Sequence, residues 1–564
     1  MQRSGSQGVV AKGGVDPHQR TRSEDMLRYA PPEKTKPLHP ARSRSQAILY
    51  ALALALLPAS LLYIYSRGLT GALSGGDSGV QYEVVIDAGS SGSRVHVFRY
   101  TFSPGSALPE LLFPDDALKV KPGLSSFASH PRDAGESLTP LLEFAAAKVP
   151  SWARSRTPLT LYATAGLRLL RPATAGAILE SCRGALLGGP FRFQREWASV
   201  LSGTNEGLYG WVAANYGAGR LAEMARSARG RQQQQQPARQ RGLAVAEMGG
   251  ASAQVTFVLD DASSGNSGAP ATTLQVGRAM GPLPMFTHSF LGAGQEAAQV
   301  RAQELVATDA WQEAWRAQRG DGDPSQGIFV KLDPCYPPGV VHDDGGLGVG
   351  NFTACRAVAA DLLAHEGCAP SAAHSCIAGT PVPRWEGAML AIENFHYTAE
   401  MLGLGQAPTL EEIAAAGEAY CATSWPQLQQ RYSSRKSEVE LLKYCFSAAY
   451  IVTFLAEGLG VAGDERRLRF ANEVAPPSGA AVDVDWAMGH VVVAAAQRGP
   501  GSVVGQPRLR ARLELMAAAT VALAALAVVW KQVRRRCPEH STQSTTGGRG
   551  SCERGRQRAV IETT

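Results

Sequence analysis

The sequence predicts an α/β body held between two membrane spans. Three observations lead there. Strand-like and helix-like segments alternate between roughly residues 70 and 505, and two uncharged apolar runs flank that region. Within it, two glycine-rich turns each follow an apolar strand that ends in an acid. The 564 residues are 45% hydrophobic and 18% charged, a globular rather than a disordered composition.

The first apolar run, Ala47–Tyr65, has nineteen residues without a charge, enough to cross a bilayer core. A 46-residue polar extension precedes it, and no cleavage-like small-residue site follows, so a cleaved signal peptide fits poorly. The second run, 513–530, is shorter and contains Glu514 near its start; Lys531, Arg534, Arg535 and Arg536 follow it as cytoplasmic flanks do. Nine Lys/Arg lie in residues 1–46 and eight in 531–564, so the net charge of +6 sits largely in the tails. That placement speaks for a lipid bilayer as partner and against nucleic acid. With both tails inside, the body faces the lumen or exterior. Seven of the nine cysteines lie in it, six of them between Cys335 and Cys445, with no zinc-type spacing, which points to disulfides in an oxidising compartment. Asn351-Phe352-Thr353 is a glycosylation sequon there.

Along the body, a Gly/Ser/Thr linker (66–79) leads to a strand at Tyr82–Ile86, a turn, and a strand at Arg94–Tyr100. Leu159–Ala163 reads as a strand and Leu208–Tyr216 as a helix. Residues 217–242, with the run Gln232–Gln236, read as an inserted loop. A strand–turn–strand follows at Leu243–Phe257, then a loop to Pro270, and helices are expected at Val300–Arg316 and Ser437–Gly458.

The segments Val84–Phe98 (VVIDAGSSGSRVHVF) and Ala244–Phe257 (AVAEMGGASAQVTF) are alike. Their small residues let the backbone approach an anion, which successive N–H groups and serine hydroxyls can surround. The leading acid repels an anion directly, so a cation must sit between the two. Two such turns are harder to obtain by chance than one.

The paired turns resemble those of the actin, hexokinase and chaperone-ATPase superfamily. More closely, the body resembles the apyrase, or nucleoside triphosphate diphosphohydrolase, family. The motifs DAGSSGSR (Asp87–Arg94), ATAGLRLL (Ala163–Leu170), LSGTNEGLYGWVAANY (Leu201–Tyr216), EMGGASAQVTF (Glu247–Phe257), YCFSAAYIVTFL and DWAMGH appear in that family's order over roughly residues 80–495. The resemblance implies two related lobes of the actin-like ATPase (ribonuclease H-like) type with a nucleotide cleft between them. Lobe I would span 80–202 with a return segment near 478–500, and lobe II, with the cysteine-rich part, 203–477.

The resemblance also implies roles. Glu206 would be the general base for an attacking water, with Ser252 and Gln254 positioning that water. Asp87 and Glu247 would hold a divalent cation, Ca2+ or Mg2+, through its waters. Ser90, Ser91, Gly92 and Ser93, with Thr164, Ala165 and Gly166 beside them and Gly249, Gly250 and Ala251 opposite, would surround the phosphates. Arg168 is either a phosphate partner or half of a structural ion pair. Tyr397 and Trp486 would meet the nucleobase. The implied disulfides are Cys335–Cys355, Cys368–Cys376 and Cys421–Cys445, with Cys182 unpaired. The implied substrates are nucleoside tri- and diphosphates, and the implied location is the Golgi or plasma membrane.

The chain departs from the family pattern twice. Glu247 stands where Asp is usual, and Glu440 stands where many animal members carry an Arg that contacts the base. The first leaves metal geometry open and the second base preference. A small-molecule kinase of the same superfamily, or a membrane protein that binds nucleotide without turnover, are the competing functions. Membrane flanks and clustered cysteines weigh against a kinase drawing on cytosolic ATP.

Overall fold

The computed structural model describes residues 79–499 except 230–241, 260–269, 278–279, 320–329, 344, 365–373, 433, 435 and 477–478. The predicted tails and both predicted spans fall outside the described residues, as do the glutamine run and Cys368. Among the described residues one helical stretch, Glu438–Gly458, is long and apolar enough to cross a membrane, and it is 72% buried inside the body. It is a core element.

Two six-stranded sheets organise the body. The first contains β1 (Gln81–Ala88), β2 (Ser93–Thr101), β3 (Glu110–Leu111), β4 (Asp116–Val120), β5 (Leu159–Ala163) and β6 (Ala198–Val200), in the order β3-β2-β1-β5-β6, with β4 also paired to β2. The second begins with β7 (Ala244–Met248), β8 (Ser252–Val258), β9 (Ala271–Leu274) and β10 (Leu283–Leu291). Two short ribbons follow, β11 (Leu332–Asp333) with β12 (Leu347–Gly348) and β13 (His374–Ile377) with β14 (Thr380–Pro383). The chain then returns to the second sheet with β15 (Met389–Glu393) and β16 (Leu468–Phe470), giving the order β16-β15-β7-β8-β10-β9.

The sheets repeat one plan. In each, an antiparallel hairpin (β1/β2, β7/β8) is extended by two parallel strands on the side of its first strand (β5 and β6, β15 and β16). The register sets Asp87 opposite Arg94 in the first hairpin and Glu247 opposite Gln254 in the second. Both faces of the leading strands are covered, which is why they read as unbroken apolar runs. Val84 and Ile86 point into a core of the first lobe and Val85 into a core shared by both lobes. Ala244, Ala246 and Met248 enter the second lobe's core while Val245 joins the shared one.

Two helices fill the shared core, Gly203–Gly217 and Trp486–Arg498. They pack backbone to backbone, for a Cβ on Gly489 would lie 1.9 Å from the Tyr209 carbonyl oxygen. On another side the helix Gly203–Gly217 sits against β8 and β10, where a Cβ on Gly207 would lie 2.6 Å from the hydroxyls of both Thr256 and Thr287. The helix Trp486–Arg498 is also pinned at both ends to the first hairpin. Its N-cap, Asp485, accepts from the Ala487 N–H at 2.7 Å and lies 3.3 Å from His96 Nε2 and 3.5 Å from Arg94 Nη1. At the other end Arg498 pairs with buried Glu83 and donates to the Tyr100 hydroxyl at 3.1 Å.

The helix expected at Val300–Arg316 is instead two helices, Gln295–Val306 and Asp309–Arg319. Thr308 breaks it: its hydroxyl donates to the Leu305 carbonyl at 2.7 Å and accepts from the Trp311 N–H at 3.3 Å, local bonds that compete with helix continuation. Cys335 is joined to Cys355 and Cys421 to Cys445; Cys376 is disulfide-bonded, and Cys182 is a buried free thiol. Asn351 is exposed and caps the helix Phe352–Leu363, its Oδ1 accepting from the Ala354 N–H at 2.9 Å.

Two outcomes follow from the shared core. Gly489→Ala is expected to destabilise the body by about 3 kcal/mol, the upper end for overpacking, because the clash is with backbone; chemical denaturation measures it. His96 has its pKa pushed down by burial, but Asp485 and Asp115 outweigh this and raise it to about 10. Asp485 is pushed up by burial, and His96 and Arg94 outweigh that to bring it to about 2. A raised His pKa stabilises fully below its unfolded value and is lost as pH climbs through the folded one; a lowered Asp pKa does the reverse. His96→Asn is therefore expected to cost about 1.5–3 kcal/mol near pH 5–6, with the difference from wild type shrinking toward pH 10 and toward pH 2. Denaturation midpoints measured across that range check it.

Candidate active site

The two hairpin turns face one another across a cleft at the carboxyl ends of β1, β5, β7 and β15, where ligands of open α/β sheets bind. From the first lobe Asp87, Ser90, Ser91, Gly92, Thr164 and Ala165 line it. Glu206, Glu247, Gly249, Gly250, Ala251, Ser252, Gln254 and Trp486 line it as well. Two expected phosphate residues do not. Ser93 begins β2 with its side chain turned into the sheet interior, 1% exposed, and Gly166 is buried in the short helix Ala165–Arg168 behind Ser90. Tyr397 lines an adjoining pocket rather than the cleft, with its ring partly exposed. Trp486 is buried and meets Tyr162 edge-on at 6.0 Å between ring centres.

Glu206 is in the first turn of the helix Gly203–Gly217, where Ser202 caps by accepting from the Asn205 N–H at 3.2 Å. The sequence suggests that a helix start keeps this carboxylate ionised. Burial opposes that and raises its pKa, while Arg168 and Gln254 pull it back. Glu206 Oε2 is paired with Arg168 Nη2 and accepts from Gln254 Nε2 at 2.8 Å. Gln254 Nε2 also donates to Ser252 Oγ at 2.8 Å, and Arg168 Nη1 to Ser289 Oγ at 3.1 Å. Arg168 is thus engaged in an ion pair beneath the cleft.

Acids dominate the electrostatics. Burial raises Asp87 to about 8, helped by Asp485 and Glu206 and opposed by His96 and Arg94. Glu247 is raised well above the usual range by burial and by Glu206, Glu393, Asp485 and Asp87. Asp87 Oδ1 is buried without a hydrogen-bond partner. An orphaned carboxylate oxygen among mutually repelling acids fits a divalent cation, which Asp87 and Glu247 would hold and whose charge would offset theirs. Among the described residues no three His, Cys, Asp or Glu side chains are grouped to ligate an ion directly. The longer Glu247 side chain is accommodated at Gly210, where a Cβ would come 3.2 Å from Glu247 Oε2.

Arg94, Lys119, Glu393 and Asp485 also line the cleft and were not among the expected site residues. Arg94 and Asp485 sit within quoted motifs, so adjacency to Ser93 and Trp486 was the available signal. Lys119 arrives through the pairing of β4 with β2, opposite Arg94, which no local pattern announces. Glu440 forms a capping box with Ser437 at the start of the helix Glu438–Leu442, so its carboxylate serves that helix end.

Residues 76–498 match the GDA1/CD39 (nucleoside phosphatase) family. The chain is 34% identical to probable apyrase 5 of Arabidopsis thaliana over 486 residues, covering 81% of this chain and 91% of that protein. It is 29% identical to human ectonucleoside triphosphate diphosphohydrolase 7, covering 74% and 73% respectively. A solved structure of nucleoside triphosphate hydrolases from Neospora caninum shares the fold, with a TM-score of 0.55 at 17% identity over 79% of this chain and 99% of that one. A match spanning both hairpins and both interlobe helices places the chain in one group: it belongs to the GDA1/CD39 (nucleoside phosphatase) family.

Proposed function

We propose that this protein is an apyrase or nucleoside diphosphatase: it hydrolyses the terminal phosphate of nucleoside tri- or diphosphates with a water activated by Glu206. The observation that carries this reading is the convergence of Glu206, Gln254 and Ser252 within hydrogen-bond reach beneath two opposed phosphate turns. Arg168 and Gln254 both engage Oε2 of Glu206, leaving Oε1 for a water proton. Ser252 Oγ accepts from Gln254, so its own hydroxyl proton is left to hold the water. Burial raises the basicity of Glu206 and the Arg168 pair keeps it ionised, a balance suited to a general base near neutral pH. The backbone amides of the two turns orient the phosphates and stabilise charge on the transferred group. A divalent cation, Ca2+ or Mg2+, held by Asp87 and Glu247 through its waters, would neutralise charge between those acids and the phosphate oxygens. The buried Trp486 and the Tyr397 ring would border the nucleoside.

The body is read as lumenal or extracellular, anchored by the two predicted spans in the Golgi or plasma membrane; the cysteines already described and the exposed sequon at Asn351 suit that side. Phosphate release from a nucleotide with metal and no added acceptor separates hydrolysis from a kinase and from binding without turnover.

Glu206→Gln is expected to lower turnover by about 100- to 10,000-fold while nucleotide binding is largely retained, measured by single-turnover rates and equilibrium binding. Glu247→Asp is expected to stay active, since the shorter acid remains in place, whereas Glu247→Ala should weaken metal affinity by about 10- to 100-fold in a metal titration of activity. Purine and pyrimidine diphosphates should differ by less than about 100-fold in kcat/KM, because an aromatic face accepts every base. The constants for ADP, GDP, UDP and CDP under one metal condition check this.

A further inference from the structure

Glu393 closes β15 beside Glu247 of the neighbouring β7, with Ile392 in register with Glu247 and Glu393 with Met248. The parallel strand at the same place in the first lobe, β5, ends at Ala163 without a carboxylate. Glu393 is one of two non-glycine residues at positive φ among the described residues, at φ 59° and ψ −121°. Its N–H donates to Asn472 Oδ1 at 2.7 Å, and the next residue ties to the phosphate hairpin, Asn394 Nδ2 donating to the Met248 carbonyl at 2.8 Å. Strained backbone held this firmly fixes where the carboxylate stands.

That place is a junction. Glu393 lines both the phosphate cleft and the adjoining pocket that contains Tyr397. Tyr397 follows four residues later, in the first turn of the helix Asn394–Met401 that begins directly after Glu393. A nucleotide with its phosphates between the turns and its base toward Tyr397 must put its sugar at the junction. We infer that Glu393 receives the ribose hydroxyls of the bound nucleotide and makes the site selective for ribonucleotides; this rests on the nucleotide-hydrolase reading above. An ionised carboxylate only accepts hydrogen bonds, so it cannot take a phosphate, whereas the two adjacent O–H donors of a ribose match its two oxygens. Among the described residues no cation lies within ion-pair distance of Glu393: Arg94 is paired with Asp485, and although burial and Asp485 raise the Glu393 pKa, Arg94, Lys119 and His396 act from farther off to pull it down. The donors are therefore left for the ligand to supply.

The test compares kcat/KM for a nucleoside diphosphate, its 2′-deoxy and 2′,3′-dideoxy analogues, and inorganic tripolyphosphate, which has no sugar. The wild-type protein should favour the ribonucleotide over the dideoxy analogue by about 10- to 100-fold, the scale on which loss of a hydrogen bond to a charged group weakens recognition. Glu393→Ala should bring the two within a few fold of each other and narrow the ratio of ribonucleotide to tripolyphosphate by the same factor. Glu393→Gly, which suits the positive φ and so relieves the backbone, should give the same pattern if the alanine variant folds poorly. Equal losses on the nucleotide and on tripolyphosphate would overturn the inference by placing Glu393 on the phosphate or metal instead. Phosphate release with no preference for ribose in the wild type overturns it alone, and no release from any substrate overturns the hydrolase reading with it.

Discussion

The close approach of two helices in the shared core is the constraint on which the rest depends. The helix Gly203–Gly217 presses on β8 and β10 at Gly207 and receives Gly489 of the closing helix at Tyr209. A side chain at either glycine would lift one helix off its neighbour, and interiors packed to crystal-like density do not absorb such a displacement. Glu206 lies one residue from Gly207, whose close contact with Thr256 and Thr287 seats the helix on β8 and β10 and so fixes the carboxylate beside Gln254. Lobe packing and site geometry are one arrangement here.

The cleft gathers Asp87, Glu206, Glu247, Glu393 and Asp485, more negative charge than a low-dielectric site tolerates without compensation. Two of the five are settled locally, Glu206 by Arg168 and Asp485 by His96 and Arg94. Among the described residues Asp87 and Glu247 have no ion-pair partner, and burial together with the neighbouring acids raises the pKa of both. On the hydrolase reading, a cation arriving with the substrate would offset these charges. The closing helix is tied to the same charges, since Asp485 that caps it also holds Arg94 at the cleft wall and His96 in the adjoining pocket.

The leading strands, both glycine-rich turns and the helix of Glu206 were legible in the sequence because their signals are local. An apolar run bounded by an acid and small residues is read within ten positions, and β5 was placed at the residues it occupies, Leu159–Ala163. Helix breaks were less legible. The apolar spacing through Val300–Arg316 carries across Thr308, whose side chain nevertheless stops one helix and starts the next. The residues expected to hold phosphate were read as contiguous blocks, yet the turn ends and β2 begins at Ser93, whose side chain is buried, while Ser90, Ser91 and Gly92 of the turn line the cleft.

By itself the sequence determined an α/β body and the family to which the chain belongs, and it named the acids and turns proposed to bear the chemistry, since residue type and short-range spacing carry these signals. Only the tertiary structure decided the company those residues keep. Arg168 became the partner of Glu206 across 38 positions, Lys119 reached the cleft through strand pairing, and Glu393 was held at the junction by Asn472, 79 residues away. Contacts between residues so far apart are set by how sheets and helices pack, and burial, which no local pattern states, then fixes which charges survive in the cleft.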